Sequence, residues 1–133
     1  MNDRNINHLH PDLQPLCRMW LGRCQERSIA AIITYTWRSF AEQEELYALG
    51  RTRAGRIVTN ARGGQSKHNF TLPGGKPASK AFDFAIKRRD GSLNWDVHSP
   101  EWQAAVAIGK ELGLEWGGDF KSIHDFAHFQ LGG

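Results

Sequence analysis

The segment "SKHNFTLPGGKPASKAFDFAI", residues 66–86, places an acidic residue inside an alternating apolar run. Residues 80–86 alternate with a period of two, which predicts a strand, and Asp83 falls on the face opposite Phe82 and Phe84. A carboxylate within a sheet is costly unless it is paired, hydrogen-bonded or bound to a metal. We therefore expect the fold to bring partner groups to Asp83 from elsewhere in the chain.

Two helices and a strand are predicted upstream of this segment. Apolar residues recur at helical spacing over residues 11–27 and predict an amphipathic helix; they are Leu13, Leu16, Cys17, Trp20, Leu21 and Cys24. Residues 30–36, "AAIITYT", predict a strand. Ser39 and Glu42 then form a capping-box pattern for a second helix that ends at Gly50.

Two strands and a third helix are predicted downstream. The Asp90-Gly91 pair is typical of a hairpin turn after the strand of residues 80–86. Ser99 is followed by Pro and Glu, which indicates the start of a helix that ends at Gly113. The stretches "LEWGGDF" and "AHFQL" then predict a short strand with a Gly-Gly turn and a closing strand.

Residues 51–66, "RTRAGRIVTNARGGQS", lack hydrophobic periodicity and are rich in Gly and Arg. This composition predicts a long loop with one short strand at residues 57–59. Long ordered loops in compact domains are often functional.

The composition of the 133 residues is that of a single globular domain, with 40% hydrophobic and 23% charged residues. The formal charge of +3 is spread along the chain, so a nucleic-acid partner is not indicated. No apolar run of about 18 residues occurs, which argues against stable membrane insertion. The start, "MNDRNINHLHPDLQPL", lacks a leader pattern, so we expect synthesis and initial residence in the cytoplasm.

Cys17 and Cys24 lie seven residues apart on the first predicted helix. That spacing separates them by about 10 Å along the helix axis. A disulfide needs Cα atoms within roughly 7 Å of each other. Both residues are therefore predicted to be reduced members of the core.

Two histidines and one aspartate form the chemically interesting set: His68, Asp83 and His128. Two His and one carboxylate, with water in a fourth position, make an open catalytic zinc site. Asp125, three residues before His128, could act beside that water as a general base or hydrogen-bond acceptor. Six histidines in 133 residues also make coincidental spacing common.

The candidate residues also have structural readings. Taken singly, His68 and His128 could each be an ordinary hydrogen-bonded histidine. Asp83 could be an ion-paired structural acid. Asp125 could cap a turn or bind the metal directly. Arg38, just before the second predicted helix, could form a salt bridge with Glu42 or Glu44.

Several motifs together resemble one family. They are "SKH" (66–68), "AFD" (81–83) and "DFAHF" (125–129), with "YTWRSFAEQEELYALGRT" (35–52) and "WGGDF" (116–120). In order, spacing and flanks they resemble the VanY-like zinc D,D-carboxypeptidase and L-alanyl-D-glutamate endopeptidase superfamily, and phage endolysin peptidases most of all. The likeness runs from Pro11 to Gln130 and implies an α+β fold of the Hedgehog/D,D-peptidase type, whose small antiparallel sheet carries the zinc ligands and packs against helices.

The resemblance also implies roles for individual residues. Zn²⁺ would be held by His68, Asp83 and His128. Asp125 would be the catalytic acid/base, and Arg38 would contact the substrate carboxylate or the developing oxyanion. Ser66 matches the family serine two residues before the first ligand and is expected to contact the substrate. Trp116 in "WGGDF" is expected to line the cleft and to contact the substrate as well.

The activity implied is hydrolysis of the L-alanyl-D-glutamate bond in peptidoglycan by a monomeric endolysin. The alternatives are a D-alanyl-D-alanine carboxypeptidase and a non-catalytic zinc-binding or murein-binding module. An aspartate at Asp125, where carboxypeptidase relatives more often carry glutamate, favours the endolysin branch. The expected organisation is one zinc peptidase domain, residues 1–133, without a separate cell-wall-binding domain. The enzyme would be made in the host bacterial cytoplasm and reach the wall after release across the inner membrane.

One segment departs from the family pattern. Fifteen positions separate His68 from Asp83 where the family keeps seven, so "NFTLPGGKPASK" holds about eight extra residues. Ser79 also stands where the family has a glycine. Two prolines and two glycines predict an exposed, turn-rich flap, residues 69–79, that borders the cleft.

Overall fold

The computed structural model describes residues 2–132 and shows an α+β fold. Its helices are α1 (Gln14–Glu26), α2 (Phe40–Ala48) and α3 (Pro100–Glu111). Its strands are β1 (Ala30–Tyr35), β2 (Ala81–Lys87), β3 (Leu93–Asn94), β4 (Leu114–Trp116) and β5 (His128–Leu131). Short 3₁₀ turns cover Ile6–His8, Lys67–Asn69 and Gly117–Asp119. None of the described helices is long and apolar enough to cross a membrane.

The five strands form one antiparallel sheet with β2 at its centre. The order is β1-β2-β5-β4, and β3 pairs with the far end of β2. In this register Asp83 of β2 lies directly opposite His128 of β5 and next to Tyr35 of β1. The sheet therefore brings together two residues that are 45 positions apart in the sequence.

One face of the sheet packs on α1 and α3 and forms the core. Phe82, Phe84 and Phe129 are fully buried there and surround the indole of Trp20, with ring centroids 4.9–5.7 Å from it. The Trp20 Nε1–H donates to the Ala105 carbonyl of α3 at 2.9 Å, so the indole is satisfied as well as buried. Because side chains alternate along a strand, Asp83 and His128 face the opposite side.

The capping signals in the sequence are found in the structure. Ser39 accepts from the Glu42 backbone N–H while the Glu42 carboxylate accepts from the Ser39 N–H, which is the predicted capping box. Gly113, at φ 87°, follows α3 as expected. Helix α1 begins at Gln14 rather than at residue 11, because the preceding residues form a turn and Pro15 occupies the first helical turn.

Both cysteines are free and buried, as predicted. Burial raises the pKa of the Cys17 thiol to about 12 and that of Cys24 to about 11. Thiolate is the reactive form, so both thiols are inert at neutral pH.

The expected strand at residues 57–59 is not formed. Ile57 and Val58 are 50% and 45% exposed and belong to a loop. Gly50, at φ 77°, turns the chain at the end of α2, and the Leu49–Arg53 bridge closes this turn. The apolar pair of the loop instead lines the cleft described below.

The segment of residues 69–79 is a short hairpin and differs from the expected flap. Thr71 pairs with Pro77, and residues 73–76 at the tip are exposed, but Ala78 and Ser79 are fully buried. The reason is that the N-terminal segment pairs with its end: the Ser79 N–H donates to the His8 carbonyl at 2.9 Å. None of residues 69–79 lines the cleft, so the expectation of a cleft-bordering flap is wrong.

Candidate metal centre

Three side chains on the open face of the sheet point their ligand atoms at one spot. His68 Nε2, Asp83 Oδ1 and His128 Nδ1 are separated by 3.2, 3.2 and 3.3 Å. A tetrahedral ion with ligand bonds of about 2.0–2.1 Å places neighbouring ligand atoms about 3.3–3.4 Å apart. The triangle therefore has the size of one face of such a tetrahedron, and the three residues fit a divalent metal ion.

The second ring nitrogen of each histidine is also hydrogen-bonded. His68 Nδ1–H donates to the Thr36 carbonyl at 2.7 Å, and His128 Nε2–H donates to Gln130 Oε1 at 2.9 Å. A neutral imidazole carries a proton on one nitrogen and a lone pair on the other. Both contacts therefore leave the lone pair on the nitrogen that faces the triangle, as metal ligation requires.

The electrostatics of the triangle keep its carboxylate ionised. Burial by itself would raise the pKa of Asp83, but when no metal is bound the positive charge of a protonated His68 and the hydrogen bonds from protonated His128 and His68 lower this pKa well below its usual range. Asp83 is therefore an anion at any pH near neutrality. An anionic oxygen beside two neutral imidazoles is a suitable ligand set for zinc or a similar cation.

Asp125 lies at the edge of the triangle without belonging to it. Its Oδ2 is 3.7 Å from His128 Nδ1, and its side chain is 51% exposed. Partial desolvation of the carboxyl by the surrounding protein, followed by the charge of Asp83, raises the pKa of Asp125 above its usual value. A carboxylate with a raised pKa, next to a metal site and open to the cleft, can accept and return a proton.

Arg38 extends from the chain just before α2 toward the same site. Its Nη2 lies 3.6 Å from Asp83 Oδ2, its Nη1–H donates to Gln43 Oε1 at 3.0 Å, and it is 9% exposed. The acids that could have paired with it are engaged elsewhere, Glu42 with Tyr35 and Glu44 with Arg62. The guanidinium is thus a nearly buried positive charge at the candidate metal site, and its buried Nε–H has no hydrogen-bond partner among residues 2–132.

Ser66 is next to the first ligand and holds its backbone. The Ser66 Oγ accepts from the His68 N–H at 3.2 Å, and Asn69 Oδ1 accepts from the Ser66 N–H. These contacts build the 3₁₀ turn that carries His68. Ser66 also lines the cleft, so its predicted contact with substrate stays a prediction.

Trp116 supports the cleft from behind and does not line it. Its Nε1–H donates to the Phe126 carbonyl at 2.8 Å, and its ring packs 5.9 Å from that of Phe126. This contact holds the loop that contains Asp125. The expectation that Trp116 lines the cleft therefore differs from the structure, where the indole braces the loop.

The triangle opens into a cleft of about 730 Å³. One wall is the loop of residues 56–61 and the other is the loop of residues 120–125. Three basic side chains line the cleft, Arg38, Arg56 and Lys67. A groove of this size and charge suits an extended substrate that carries carboxylates.

Two contributors to the site were missed at the sequence level. The loop of residues 56–61 has no motif that marks it as a cleft wall. Gln130 carries a weak signal: it lies two residues after His128 on a predicted strand, which places both side chains on one face.

The α+β fold and the triangle together define a protein with an open His₂Asp metal centre, a donor set that suits metal-assisted hydrolysis. Comparison with known proteins narrows the class. Residues 59–131 match the family model described as D-alanyl-D-alanine carboxypeptidase, of the M15 peptidases. Over 130 residues the chain is 40% identical to the peptidoglycan L-alanyl-D-glutamate endopeptidase CwlK of Bacillus subtilis (strain 168), covering 92% of this chain and 73% of CwlK. The chain therefore belongs to the M15 peptidase family.

Two solved structures share the fold. The L-Ala D-Glu endopeptidase ChiX of Serratia marcescens superposes with a TM-score of 0.67 at 22% identity, over 99% of this chain and 89% of ChiX. The LD-carboxypeptidase LdcB, described in a study of peptidoglycan recognition, gives a TM-score of 0.67 at 11% identity, over 92% of this chain and 58% of LdcB. These similarities support the α+β peptidase fold.

Proposed function

We propose that this protein is a zinc-dependent endopeptidase that hydrolyses the L-alanyl-D-glutamate bond in the stem peptides of peptidoglycan. The observation that carries the proposal is the triangle of His68, Asp83 and His128, of tetrahedral size, with the Asp125 carboxylate at its edge. The choice of bond is supported by CwlK, which is named for this cleavage and is 40% identical.

The chain's own residues supply proton transfer and charge stabilisation. A zinc ion held by His68, Asp83 and His128 would activate a water molecule and polarise the scissile carbonyl. Asp125 takes a proton from the attacking water as its oxygen bonds to the carbonyl carbon, and it then delivers that proton to the leaving nitrogen as the C–N bond breaks. Arg38 stabilises the negative charge that develops on the substrate oxygen or binds a neighbouring carboxylate.

The charge of the cleft supports a stem peptide as the substrate. The α-carboxylate of D-glutamate and the acids that follow it are anionic at neutral pH. Arg38, Arg56 and Lys67 line the cleft in which such a chain would lie. Opposite charges in a confined groove raise the local concentration of substrate and orient it.

Product identification after digestion of purified murein tests the bond. Peptides with a new N-terminal D-glutamate, and L-alanine left on the muramic acid, are the expected mass-spectrometric result. Release of free D-alanine from otherwise intact stems would instead assign the carboxypeptidase activity. Murein that stays intact in the presence of zinc-loaded protein would indicate a non-catalytic binding module.

The identity of the metal has its own test. Purified protein should contain about one zinc per chain, because His₂Asp with an open position suits a hydrolytic zinc site. Each of His68→Ala, Asp83→Ala and His128→Ala should lose it. Full zinc retention by Asp83→Ala would remove that aspartate from the ligand set.

The proposal extends to the biological setting. The protein acts as a phage endolysin, a monomer made in the host cytoplasm that reaches the wall after release across the inner membrane. The aspartate at position 125, within "DFAHF", supports this branch of the family. Co-expression with a membrane-permeabilising protein should lyse the bacteria, whereas the same expression of His128→Ala should not. Light scattering after gel filtration measures the molar mass and so tests the monomeric state.

A further inference from the structure

His128 reaches the ligand triangle through Nδ1, and its other nitrogen is bound by a glutamine side chain. The distance from His128 Nε2 to Gln130 Oε1 is 2.9 Å. Because an amide oxygen only accepts hydrogen bonds, the proton lies on Nε2 and the lone pair on Nδ1, where Asp83 Oδ1 is 3.2 Å away. Gln130 therefore selects the His128 tautomer that can bind a metal.

The direction of the Gln130 amide is fixed by a third residue. Gln130 Nε2 donates to Glu115 Oε1 at 3.0 Å. An ionised carboxylate accepts hydrogen bonds and donates none, so the NH₂ group must face Glu115. The carbonyl end of the amide is then left to face His128.

The sheet register places these three residues in line. His128 and Gln130 lie two positions apart on β5 and share one face of the sheet. Glu115 on β4 is the direct cross-strand partner of Gln130. This row of three side chains is thus set by the backbone pairing of β4 with β5 and does not depend on a loop.

The two histidines differ in how their outer nitrogen is held. His68 donates to the Thr36 carbonyl, a backbone group that no substitution removes. His128 donates to a side chain, which can be exchanged. This difference makes the role of Gln130 testable.

We propose that Gln130 is a positioning residue for the metal ligand His128, and that Glu115 orients the Gln130 amide for this task. Partners of this kind contribute about 10–100-fold to metal affinity or activity. The inference rests on the zinc centre proposed above. Failure of the wild-type chain to bind zinc would refute that centre, whereas unchanged zinc affinity after loss of Gln130 would refute only this role.

The direct test is zinc affinity, measured on the full chain by competition with a chromophoric chelator. Gln130→Met keeps the side-chain length and removes both hydrogen bonds, and it should raise the zinc Kd by about 10–100-fold. Gln103→Met is the matched control, because Gln103 is an exposed glutamine on α3 and donates to the Val97 carbonyl. Its zinc Kd should equal that of the wild type.

An exchange of the pair separates this role from simple packing. The double variant Gln130→Glu/Glu115→Gln reverses donor and acceptor between β5 and β4 and again offers an oxygen to His128. Its zinc Kd should return to within about threefold of the wild-type value, so that most of the 10–100-fold loss expected for Gln130→Met is recovered. Nuclear magnetic resonance of the zinc-loaded chain should show a slowly exchanging His128 Nε2–H in the wild type and the double variant, and a rapidly exchanging one in Gln130→Met.

Two results would overturn the proposal. The first is a wild-type zinc Kd in Gln130→Met; if the KM for murein is then raised, Gln130 is a substrate contact. The second is a double variant that binds zinc no better than Gln130→Met. If Gln130→Met does not fold, the double variant and Glu115→Met, which leaves the amide without its orienting partner, carry the same comparison.

Discussion

At the scale of single residues, the ligand triangle explains why an acid, Asp83, lies between two buried phenylalanines. Phe82 and Phe84 enter the core, while Asp83 points to the other face and meets His68 and His128 at 3.2 Å. Its partners are therefore the two histidines, with Arg38 at 3.6 Å as a third. The cost of placing a carboxylate in the sheet is offset by these contacts.

Asp125 is expected to affect turnover without affecting metal binding. Asp125→Asn keeps the side-chain volume but cannot accept a proton, so kcat should fall by about 10²-fold or more. Zinc content by elemental analysis should stay that of the wild type, because the carboxylate lies at the edge of the triangle. Loss of zinc in this variant would make Asp125 a ligand.

Gly117 determines where Asp125 stands. A Cβ at Gly117 would collide with the Asp125 backbone oxygen and approach the Cβ atoms of Asp125 and His128 to 3.0 Å. Gly117→Ala should therefore displace the base, and misplacement by about 1 Å can lower kcat by about 10²-fold. Gly22→Ala is the control, since a Cβ there would have no neighbouring atom within 4 Å from the rest of the described chain, outside its own helix. It should leave kcat unchanged, and equal kcat in both variants would contradict the positional argument.

At the scale of elements, the strand pair β2 and β5 carries both the core and the site. Along β5, Phe129 faces the aromatic core while His128 and Gln130 face the cleft. A one-residue slip of β5 would exchange these faces. The metal centre thus depends on the same register that buries Phe129.

The hairpin of residues 71–77 should be dispensable for activity. Its exposed tip, residues 73–76, lies outside the cleft, and shortening a surface loop changes the loop-closure entropy little. Replacing residues 72–76 by a two-residue turn should keep kcat/KM close to that of the wild type, because none of these residues lines the cleft. The effect on folding should also be small, since loop closure changes by about 0.6 kcal/mol per doubling of length. Thermal unfolding should shift by a few degrees. A deletion that extends to Ser79 should abolish folding, because Ser79 is buried and pairs with the N-terminal segment.

At the scale of the whole molecule, the sheet separates stability from chemistry. The aromatic core lies between the sheet and helices α1 and α3, and the ligand triangle lies on the other face. Metal binding and core packing should therefore contribute to the free energy of unfolding independently.

Urea titrations of a core variant with and without zinc test this independence. Trp20→Ala should lower the free energy of unfolding by about 3–5 kcal/mol, because Trp20 is fully buried among phenylalanines. Zinc at 100 times its Kd should add about 2.7 kcal/mol to wild type and variant alike. If Trp20→Ala does not fold, the milder Trp20→Phe replaces it in the same titration. Met19→Ala is the surface control, because Met19 is 46% exposed. A zinc increment that vanishes in the core variants would show that core and site are coupled.

The sequence by itself determined most local elements and the residues of the candidate metal centre. Capping pairs such as Ser39 with Glu42, and the alternation of residues 80–86, act over a few neighbouring residues, so their patterns are legible without the fold. Ligand chemistry singled out His68 and His128 as partners for Asp83, the family resemblance strengthened that choice, and the structure brings the three together.

The tertiary structure decided the rest. The pairing of Ser79 with the N-terminal segment, the cleft wall at residues 56–61 and the orientation of Gln130 by Glu115 all join positions that are distant in sequence. Such contacts depend on strand register and on which backbone groups remain unpaired after the elements form. No local pattern encodes them, because the free energy that selects them arises only when the whole sheet and its loops are assembled.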